Sequence, residues 1–207
     1  MQLNSSDIER QLVEACRRGE RSAQFRVYQR YAKAMLNTAH RILNDEEEAK
    51  DVLQEAFIKV FAKIDTFRFQ STLGAWIKRI VVNTAINAQR KRGIVFDIYS
   101  EELERIPAPT SDAGDEAFAR KNAAIARNAL KELPDGYRAV LSLYLVEGYD
   151  HREIAKILGI SISTSLSQYN RGKKRLRKII ASMNEDGRTG KILSPPPSGT
   201  RRTGTGS

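Results

Sequence analysis

The stretch YDHREIAKILGISISTSLSQYNRGKKRLRK, residues 149–178, decides the fold prediction. Asp150 followed by Glu153 predicts a capping box that opens a short helix. Gly159 supplies the left-handed backbone in which a helix can stop and turn, and Ser161 is a suitable N-cap for the next helix. Two short helices joined by a glycine turn, the second rich in cations, are typical of a DNA-binding helix-turn-helix. The alternative is a helical hairpin with a solvated basic face. The cations are Arg171, Lys173, Lys174, Arg175, Arg177 and Lys178.

Charge is distributed unevenly along the 207 residues, whose formal net charge of +10 favours a polyanionic partner. Residues 1–92 hold 17 Lys and Arg against 11 Asp and Glu, and residues 121–184 hold 12 against 5. Residues 93–120 reverse the sign, with 2 against 7. Two basic blocks separated by an acidic spacer indicate two DNA-binding units on one tether.

Helical periodicity dominates both basic blocks, and no alternating strand pattern is convincing. We therefore predict an all-α protein with two small helical domains, residues 1–92 and 121–184, joined by a flexible acidic linker at 93–120, which contains Pro, Gly, Ser and Asp. A 28-residue coil spans about 30 Å and extends to about 90 Å, enough for one to two turns of duplex (~35–70 Å). The tail at 185–207 is predicted to be disordered.

Several classes of function are disfavoured by composition. No apolar run approaches the ~20 residues that cross a bilayer, and the amino terminus lacks a signal-peptide core. Cys16 is the only cysteine, which excludes an internal disulfide, and the two histidines, His40 and His151, are far apart in sequence, which disfavours a metal site. No nucleophile–base pair or phosphate-binding glycine loop is present. We expect a cytoplasmic protein that is not an enzyme and has no cofactor or metal.

Residues 46–65 form a predicted amphipathic helix. Its apolar stripe is Leu53, Phe57, Val60, Phe61 and Ile64. Its other face carries Glu47, Asp51, Gln54, Glu55 and Ile58. Such an acidic face would repel DNA phosphates, so it is either an ordinary solvated face or a docking site for a protein, and the pattern favours neither.

A second amphipathic helix is predicted from residue 74 to residue 92. Its buried stripe is Ile77, Ile80, Val81, Thr84 and Ala88, and another face carries Trp76, Arg79, Asn83, Asn87 and Arg90. Asparagine amides can pair with base edges, and tryptophan and arginine can stack on unpaired bases or bind phosphates. On pattern alone, a core Trp76 and solvated asparagines are the better interpretation. The preceding segment FRFQSTLG, residues 67–74, is predicted to be a loop with exposed aromatic rings that bind something.

These motifs together resemble the extracytoplasmic-function sigma factors of bacterial RNA polymerase, the RpoE-like members of the sigma-70 family. The segments DVLQEAF (51–57), FR (67–68), AWI (75–77), VNTA (82–85) and RKR (90–92) resemble sigma region 2. The segments LKELPDGYR (130–138) and EGY (147–149), with the helix-turn-helix, resemble sigma region 4. The resemblance covers residues 8–92 and 121–182, in the family's order and with its acidic linker between them.

The resemblance implies a non-enzymatic initiation factor that binds core RNA polymerase, recognises the −10 and −35 promoter elements and promotes opening of the duplex. The acidic face, with Asp51, Gln54, Glu55 and Ile58, would dock the coiled-coil clamp of the largest polymerase subunit. Residues 67–73 would capture a base flipped from the non-template strand, since a shaped pocket can offset an unstacking cost of a few kcal/mol. The acidic linker would thread polymerase channels that otherwise hold RNA, and an anti-sigma factor is a further partner that the family allows. The implied −10 residues are Phe67, Arg68, Gln70, Ser71, Trp76, Arg79, Asn83, Asn87 and Arg90.

The second helix of the helix-turn-helix departs from the family pattern. Where relatives often carry Gly-Thr-Val-Lys/Arg-Ser-Arg, this chain has STSLSQY at 163–169, so cations are lost at Leu166 and Gln168. The −35 preference therefore cannot be transferred from the family. Ser165, Ser167, Gln168 and Asn170 are predicted to read base edges, Arg171 and Lys174 to bind phosphates, and Thr164 to lie in the first turn of this helix.

Two other functions compete with this prediction. A stand-alone helix-turn-helix regulator would bind duplex DNA without polymerase, but it would leave the helices of residues 46–92 unexplained. An RNA-binding protein is disfavoured because the chain lacks a sheet of stacking aromatic residues. Mixing the chain with core polymerase and a labelled promoter separates the first two functions.

Overall fold

The computed structural model describes residues 5–94 and 123–189, and within these two ranges the chain is helical and has no β-strand. The all-α prediction is confirmed. The predicted linker from residue 95 onward and the predicted tail from residue 190 onward lie outside the described residues. The helices are α1 (Ser5–Arg17), α2 (Arg21–Leu43), α3 (Glu46–Ala62), α4 (Leu73–Lys91), α5 (Ala123–Lys131), α6 (Asp135–Leu141), α7 (His151–Leu158) and α8 (Ile162–Thr189). A 3₁₀ turn at Ile64–Thr66 follows α3, and a π-helical segment at Ser142–Val146 continues α6.

The last helix is longer than the sequence indicated. α8 continues to Thr189, past residue 184, where the second domain was predicted to end. A helix that is already formed gains one hydrogen bond for each further residue that it orders, so polar composition alone is a weak stop signal at its end.

Helices α2, α3 and α4 pack against one another, and α1 lies along α2. Local signals set their ends. Asn44 closes α2 in the left-handed conformation, with φ of 58°, and the Asp45 carboxylate accepts the Glu48 amide at 2.8 Å to start α3. Thr72 caps α4 by accepting the Ala75 amide at 3.2 Å. The core between these helices contains the predicted apolar stripes, in which Leu53, Phe57, Val60, Ile64, Ile77, Val81 and Thr84 are buried and Phe61, Ile80 and Ala88 are partly buried.

Helices α5, α6 and α7 pack on the long helix α8. The crossing of α6 over α8 is close because it occurs at Gly172. A Cβ atom built at this glycine would lie 3.1 Å from the side chains of Tyr137 and Leu141. A larger residue would therefore push the two helices apart.

Helix α6 also contacts α2, and α7 contacts α4, so the two groups of helices meet. Glu147 lies at this junction, where its side chain is only 4% exposed and pairs with Arg41 at 2.5 Å and with Lys78 at 3.3 Å. Beside it, Tyr149 is partly buried, and this burial, followed by the charge of Glu147, raises the pKa of Tyr149 to about 12. At another point Arg90 Nη2 donates to the carbonyl of Ile157 at 3.1 Å. Polar and ionic contacts thus contribute to this junction.

Candidate nucleic-acid interface

The face of α3 predicted to dock a protein is exposed. Asp51, Gln54, Glu55 and Ile58 all point to solvent, and Ile58 is 70% exposed. Glu55 accepts a hydrogen bond from Lys59, with an N···O distance of 2.7 Å, and this bond lowers the pKa of the carboxyl group. Because an exposed isoleucine lies among carboxylate side chains, this face can offer a partner both apolar contact and negative charge.

The second predicted face, on α4, is also displayed. Arg79, Asn83, Asn87 and Arg90 are exposed, at a spacing that places them along one side of the helix. Arg90 Nη1 donates to Asn87 Oδ1 at 3.2 Å, which holds these two side chains together. An amide-rich and cationic stripe of this kind can contact base edges and phosphates at once.

The loop of residues 67–73 is built differently from the prediction. Phe67 was expected to be exposed, but it is 2% exposed and packs against Trp76, with ring centroids 5.4 Å apart. Phe69 is partly buried and its ring centroid lies 4.8 Å from that of Phe67. The expectation of exposed aromatic rings is therefore wrong for Phe67, because its ring packs against those of Trp76 and Phe69. Arg68, Gln70 and Ser71 are exposed in the same loop.

The helix-turn-helix forms as predicted. Asp150 accepts the amides of Arg152 and Glu153, and Glu153 accepts the Asp150 amide in return, which completes the capping box. Gly159 ends α7 in the left-handed conformation, with φ of 65°, and Ser161 accepts the Thr164 amide at 2.9 Å. Three local predictions about this motif are thus confirmed.

Two residues predicted to read bases in α8 are buried. Ser165 is 0% exposed and its hydroxyl is hydrogen-bonded to His151 Nδ1 at 2.9 Å. Gln168 is 3% exposed. Both side chains lie on the face of α8 that packs on the rest of the unit, together with Tyr169 and Gly172. Neither can reach a base edge, and the prediction was wrong for them because it followed residue type rather than helical register.

The register of α8 identifies the residues that do face outward. Ser163 is exposed, and Thr164, Leu166, Ser167 and Asn170 are partly exposed. Ser163, Leu166, Ser167 and Asn170 follow helical spacing, opposite the buried residues 165, 168, 169 and 172. Ser163 and Leu166 were not predicted to face outward, although the helical spacing of the buried residues could have identified them.

Further along α8 the surface becomes cationic. Lys174 is exposed and Arg171 is partly exposed, and both line an open groove of about 560 Å³ that also contains Arg175 and Lys178. The cations predicted to bind phosphates therefore lie beyond the outward-facing residues near the start of α8. This arrangement separates a stretch suited to bases from a stretch suited to the DNA backbone.

Within residues 5–94 and 123–189, no cluster of His, Cys, Asp and Glu side chains could hold a metal ion. In the same part of the chain, none of the helices combines the length and the apolar character that a membrane span needs.

Comparison with known proteins matches residues 27–94 to the Sigma-70 region 2 family and residues 123–176 to the Sigma-70 region 4 family. The chain is a sigma factor of the extracytoplasmic-function family. It is 30% identical to RNA polymerase sigma factor SigZ of Bacillus subtilis (strain 168) over 142 residues, which are 69% of this chain and 77% of the relative. It is 29% identical to ECF RNA polymerase sigma factor SigE of Mycolicibacterium smegmatis over 157 residues, 75% of this chain and 61% of that longer relative.

The fold of this sigma factor is similar to a solved structure of the sigma factor RpoE in complex with the anti-sigma factor NepR from Bartonella quintana. The TM-score is 0.50 at 24% identity, and the likeness covers 75% of this chain and 95% of that chain. The two matched families correspond to α2–α4 and to α5–α8 up to residue 176. Helix α1 precedes the first match.

Proposed function

We propose that this sigma factor binds core RNA polymerase through α3, reads a −10 element with α4 and the loop of residues 67–73, and reads a −35 element with α8. In this role it recruits the polymerase to promoters and promotes opening of the duplex. The chemistry of initiation belongs to the polymerase, so the factor is not an enzyme. As a partner of bacterial RNA polymerase it acts in the cytoplasm.

The observation that carries this proposal is the display of two chemically opposite faces on two helices that pack together. α3 presents Asp51 and Glu55, which suit a protein and repel DNA, and α4 presents Asn83 and Arg90, which suit DNA. A stand-alone regulator has no use for the first face. A factor that bridges polymerase and promoter needs both.

The residues proposed for the −10 element form two groups, one on α4 and one on the loop of residues 67–73. Asn83 and Asn87 are exposed on α4, where amides can form hydrogen bonds to base edges. Arg68, Gln70 and Ser71 are exposed on the same loop as Phe67, whose ring packs against that of the half-buried Trp76. Side chains displayed beside aromatic rings suit an unpaired base, which can stack and form hydrogen bonds once it leaves the duplex. Phe67 supports this surface from below and does not contact DNA.

At the −35 element, Ser167 and Asn170 keep the role predicted for them, and Ser163 and Leu166 take the place of the buried Ser165 and Gln168. Ser163, Ser167 and Asn170 can form hydrogen bonds to base edges, and Leu166 can contact a thymine methyl group. Lys174 and Arg171 lie further along the helix, where the groove of cations suits phosphates. The start of α8 has no acidic residue in its first turn, so nothing there opposes the attraction of the helix dipole for phosphate.

The docking surface gives the most direct test. Replacing Asp51 and Glu55 with Lys should abolish co-purification with core RNA polymerase, because the docking face changes sign while the fold does not depend on it. The control is Asp65→Lys combined with Glu132→Lys, which changes the net charge equally at two other exposed positions. Circular dichroism checks both proteins. Equal retention of polymerase by the two variants would remove α3 from the interface.

The same samples separate the competing function. A labelled promoter fragment is mixed with the wild-type chain, with and without core polymerase. A sigma factor gives a specific open complex only when polymerase is present, whereas a stand-alone regulator binds its duplex site equally well alone. An anti-sigma factor, like that in the Bartonella quintana complex, remains a proposed partner of this chain.

A further inference from the structure

Helix α1 contacts the loop of residues 67–73 at both of its ends. At the first end, Arg17 Nη2 donates to the carbonyl of Phe67 at 2.5 Å. At the other end, the amide of Leu73 donates to Glu9 Oε1 at 3.1 Å. The Phe67 carbonyl is at the start of the loop, and the Leu73 amide is at its end, where α4 begins. Their partners, Arg17 and Glu9, are both side chains of α1. The two ends of the loop are thereby tied to one helix.

The middle of the loop is held by the same helix. The guanidinium carbon of Arg10 lies 4.9 Å from the centroid of the Phe69 ring, and that of Arg17 lies 5.5 Å from it. Two cations therefore contact one aromatic ring, an arrangement that favours a fixed ring position. Arg10 and Arg17 are two turns apart on α1, so the helix spacing itself sets this clamp.

The backbone at Phe69 explains why a clamp is needed. Its φ is 57°, in the left-handed region that bulky residues avoid. Such a conformation persists only where the surrounding contacts impose it, and it is found most often at functional sites. The turn at Phe69 brings Gln70 and Ser71 to the surface while keeping the Phe69 ring half-buried.

We infer that Glu9, Arg10 and Arg17 are positioning residues for base capture. They hold the loop in the conformation that presents Arg68, Gln70 and Ser71 to the extruded base. This inference rests on the proposed function and deepens it. The family match starts at residue 27, so the clamp lies outside the matched region.

The energetic reason is preorganisation. A loose loop of seven residues would have to be ordered when the base enters it, and that cost would fall on correct and incorrect bases alike. A loop whose ends and centre are already fixed can place its polar side chains to within the tolerance that discrimination between bases needs. Loss of the clamp should therefore reduce selectivity at the captured base more than it reduces general affinity.

The experiment uses the full chain assembled with core polymerase. A library of single-stranded 12-nucleotide DNAs is selected with the wild-type holoenzyme, and the position with the strongest base preference is identified. Four oligonucleotides that differ only at this position are then titrated against holoenzymes carrying Arg17→Gln, Arg10→Gln or Arg17→Lys. The matched control is Arg18→Gln, which removes the same charge from an adjacent side chain that is 64% exposed and pairs with Glu20.

We expect Arg17→Gln and Arg10→Gln to lower discrimination at this position by about five- to tenfold, the effect of losing one or two modest contacts. Arg17→Lys should restore part of it, because an ammonium group can still donate to the Phe67 carbonyl. Arg18→Gln should behave as the wild type. Polymerase binding and binding to a −35 duplex should not change in any of these variants, and any fall in melting temperature should be too small to account for the loss of discrimination.

Three results would overturn the inference. The first is unchanged discrimination in both glutamine variants. The second is a loss of discrimination only in proportion to a fall in melting temperature, which indicates a structural role. The third is uniform weakening for all four bases with a lower salt dependence, which indicates that Arg10 and Arg17 contact phosphate directly. If the wild-type holoenzyme selects no sequence from the library, the proposed −10 function fails instead.

Discussion

Replacing Gly159 with Ala tests the turn of the helix-turn-helix. Gly159 has φ of 65°, and an L-residue in this region costs about 1–2 kcal/mol relative to the right-handed region. Part of this cost is offset because Ala also restricts the unfolded chain, by about 0.4–1 kcal/mol. We therefore expect a loss of about 1 kcal/mol, which lowers the melting temperature by about 2–4 °C in a chain of this size.

Contact adds little to this loss. A Cβ atom at residue 159 would lie 3.1 Å from Arg90 Nη2, which is the movable end of a flexible side chain. Gly148→Ala is the matched control, because Gly148 has φ of 80° and an added Cβ would meet nothing within 4 Å. The two alanine variants should lose similar stability in urea unfolding followed by circular dichroism, and Gly159→Asn should lose less, because asparagine tolerates this conformation. A Gly159→Ala protein as stable as the wild type would refute the left-handed turn.

Three further predictions concern DNA binding and pH. Asn83→Ala should weaken promoter opening by about 1–3 kcal/mol and leave duplex binding nearly unchanged. Permanganate footprinting measures the opening, and a gel shift measures the duplex binding. Equal losses in the two assays would contradict a role of Asn83 with unpaired bases. Lys174→Ala should weaken all −35 variants alike and reduce the salt slope by about one unit, whereas Gln168→Ala should lower stability without changing the order of preferred sequences. Burial lowers the pKa of His151 from its ordinary value of 6.5, so the folded state resists protonation and loses stability as pH falls from 6.5 towards the lowered pKa. His151→Gln should flatten this loss in a pH series of melting curves, and an unchanged pH profile would exclude His151 as its source.

Local signals in the sequence predicted much of the fold. Asp150, Glu153, Gly159 and Ser161 act within a few residues of their own positions, so their roles could be derived without knowing the tertiary structure, and the structure confirms them. The apolar stripes of α3 and α4 were predicted for the same reason, because helical spacing alone fixes which side is buried.

The site was harder to predict where burial depends on distant helices. Gln168 was chosen because an amide can read adenine, but the packing of α6 and α7 on α8 decides which side of α8 is exposed. Phe67 was expected to be exposed because loops usually are, and the residue pattern alone does not show that its ring packs against those of Phe69 and Trp76. The contacts made by Glu9 and Arg17 join residues more than 45 positions apart, which no local pattern indicates.

While the ion pairs of Glu147 hold the two groups of helices together, they limit the distance between the surfaces proposed for the two promoter elements. Arg90 Nη2 lies 3.1 Å from the carbonyl of Ile157, and six residues of chain, at most about 21 Å, separate Ile157 from Ser163. Arg90 and Ser163, one side chain proposed for each promoter element, are therefore within about 25 Å of each other, less than the ~34 Å of a single duplex turn. For Arg90 and Ser163 to contact elements a turn or more apart, the two groups of helices would have to move apart, which breaks the pairs of Glu147 with Arg41 and Lys78. The apparent affinity for a promoter is then the intrinsic affinity multiplied by the fraction of molecules in which the two groups of helices have already separated. The carboxylate of Glu147, which touches no base, would in this way influence how tightly a promoter is bound.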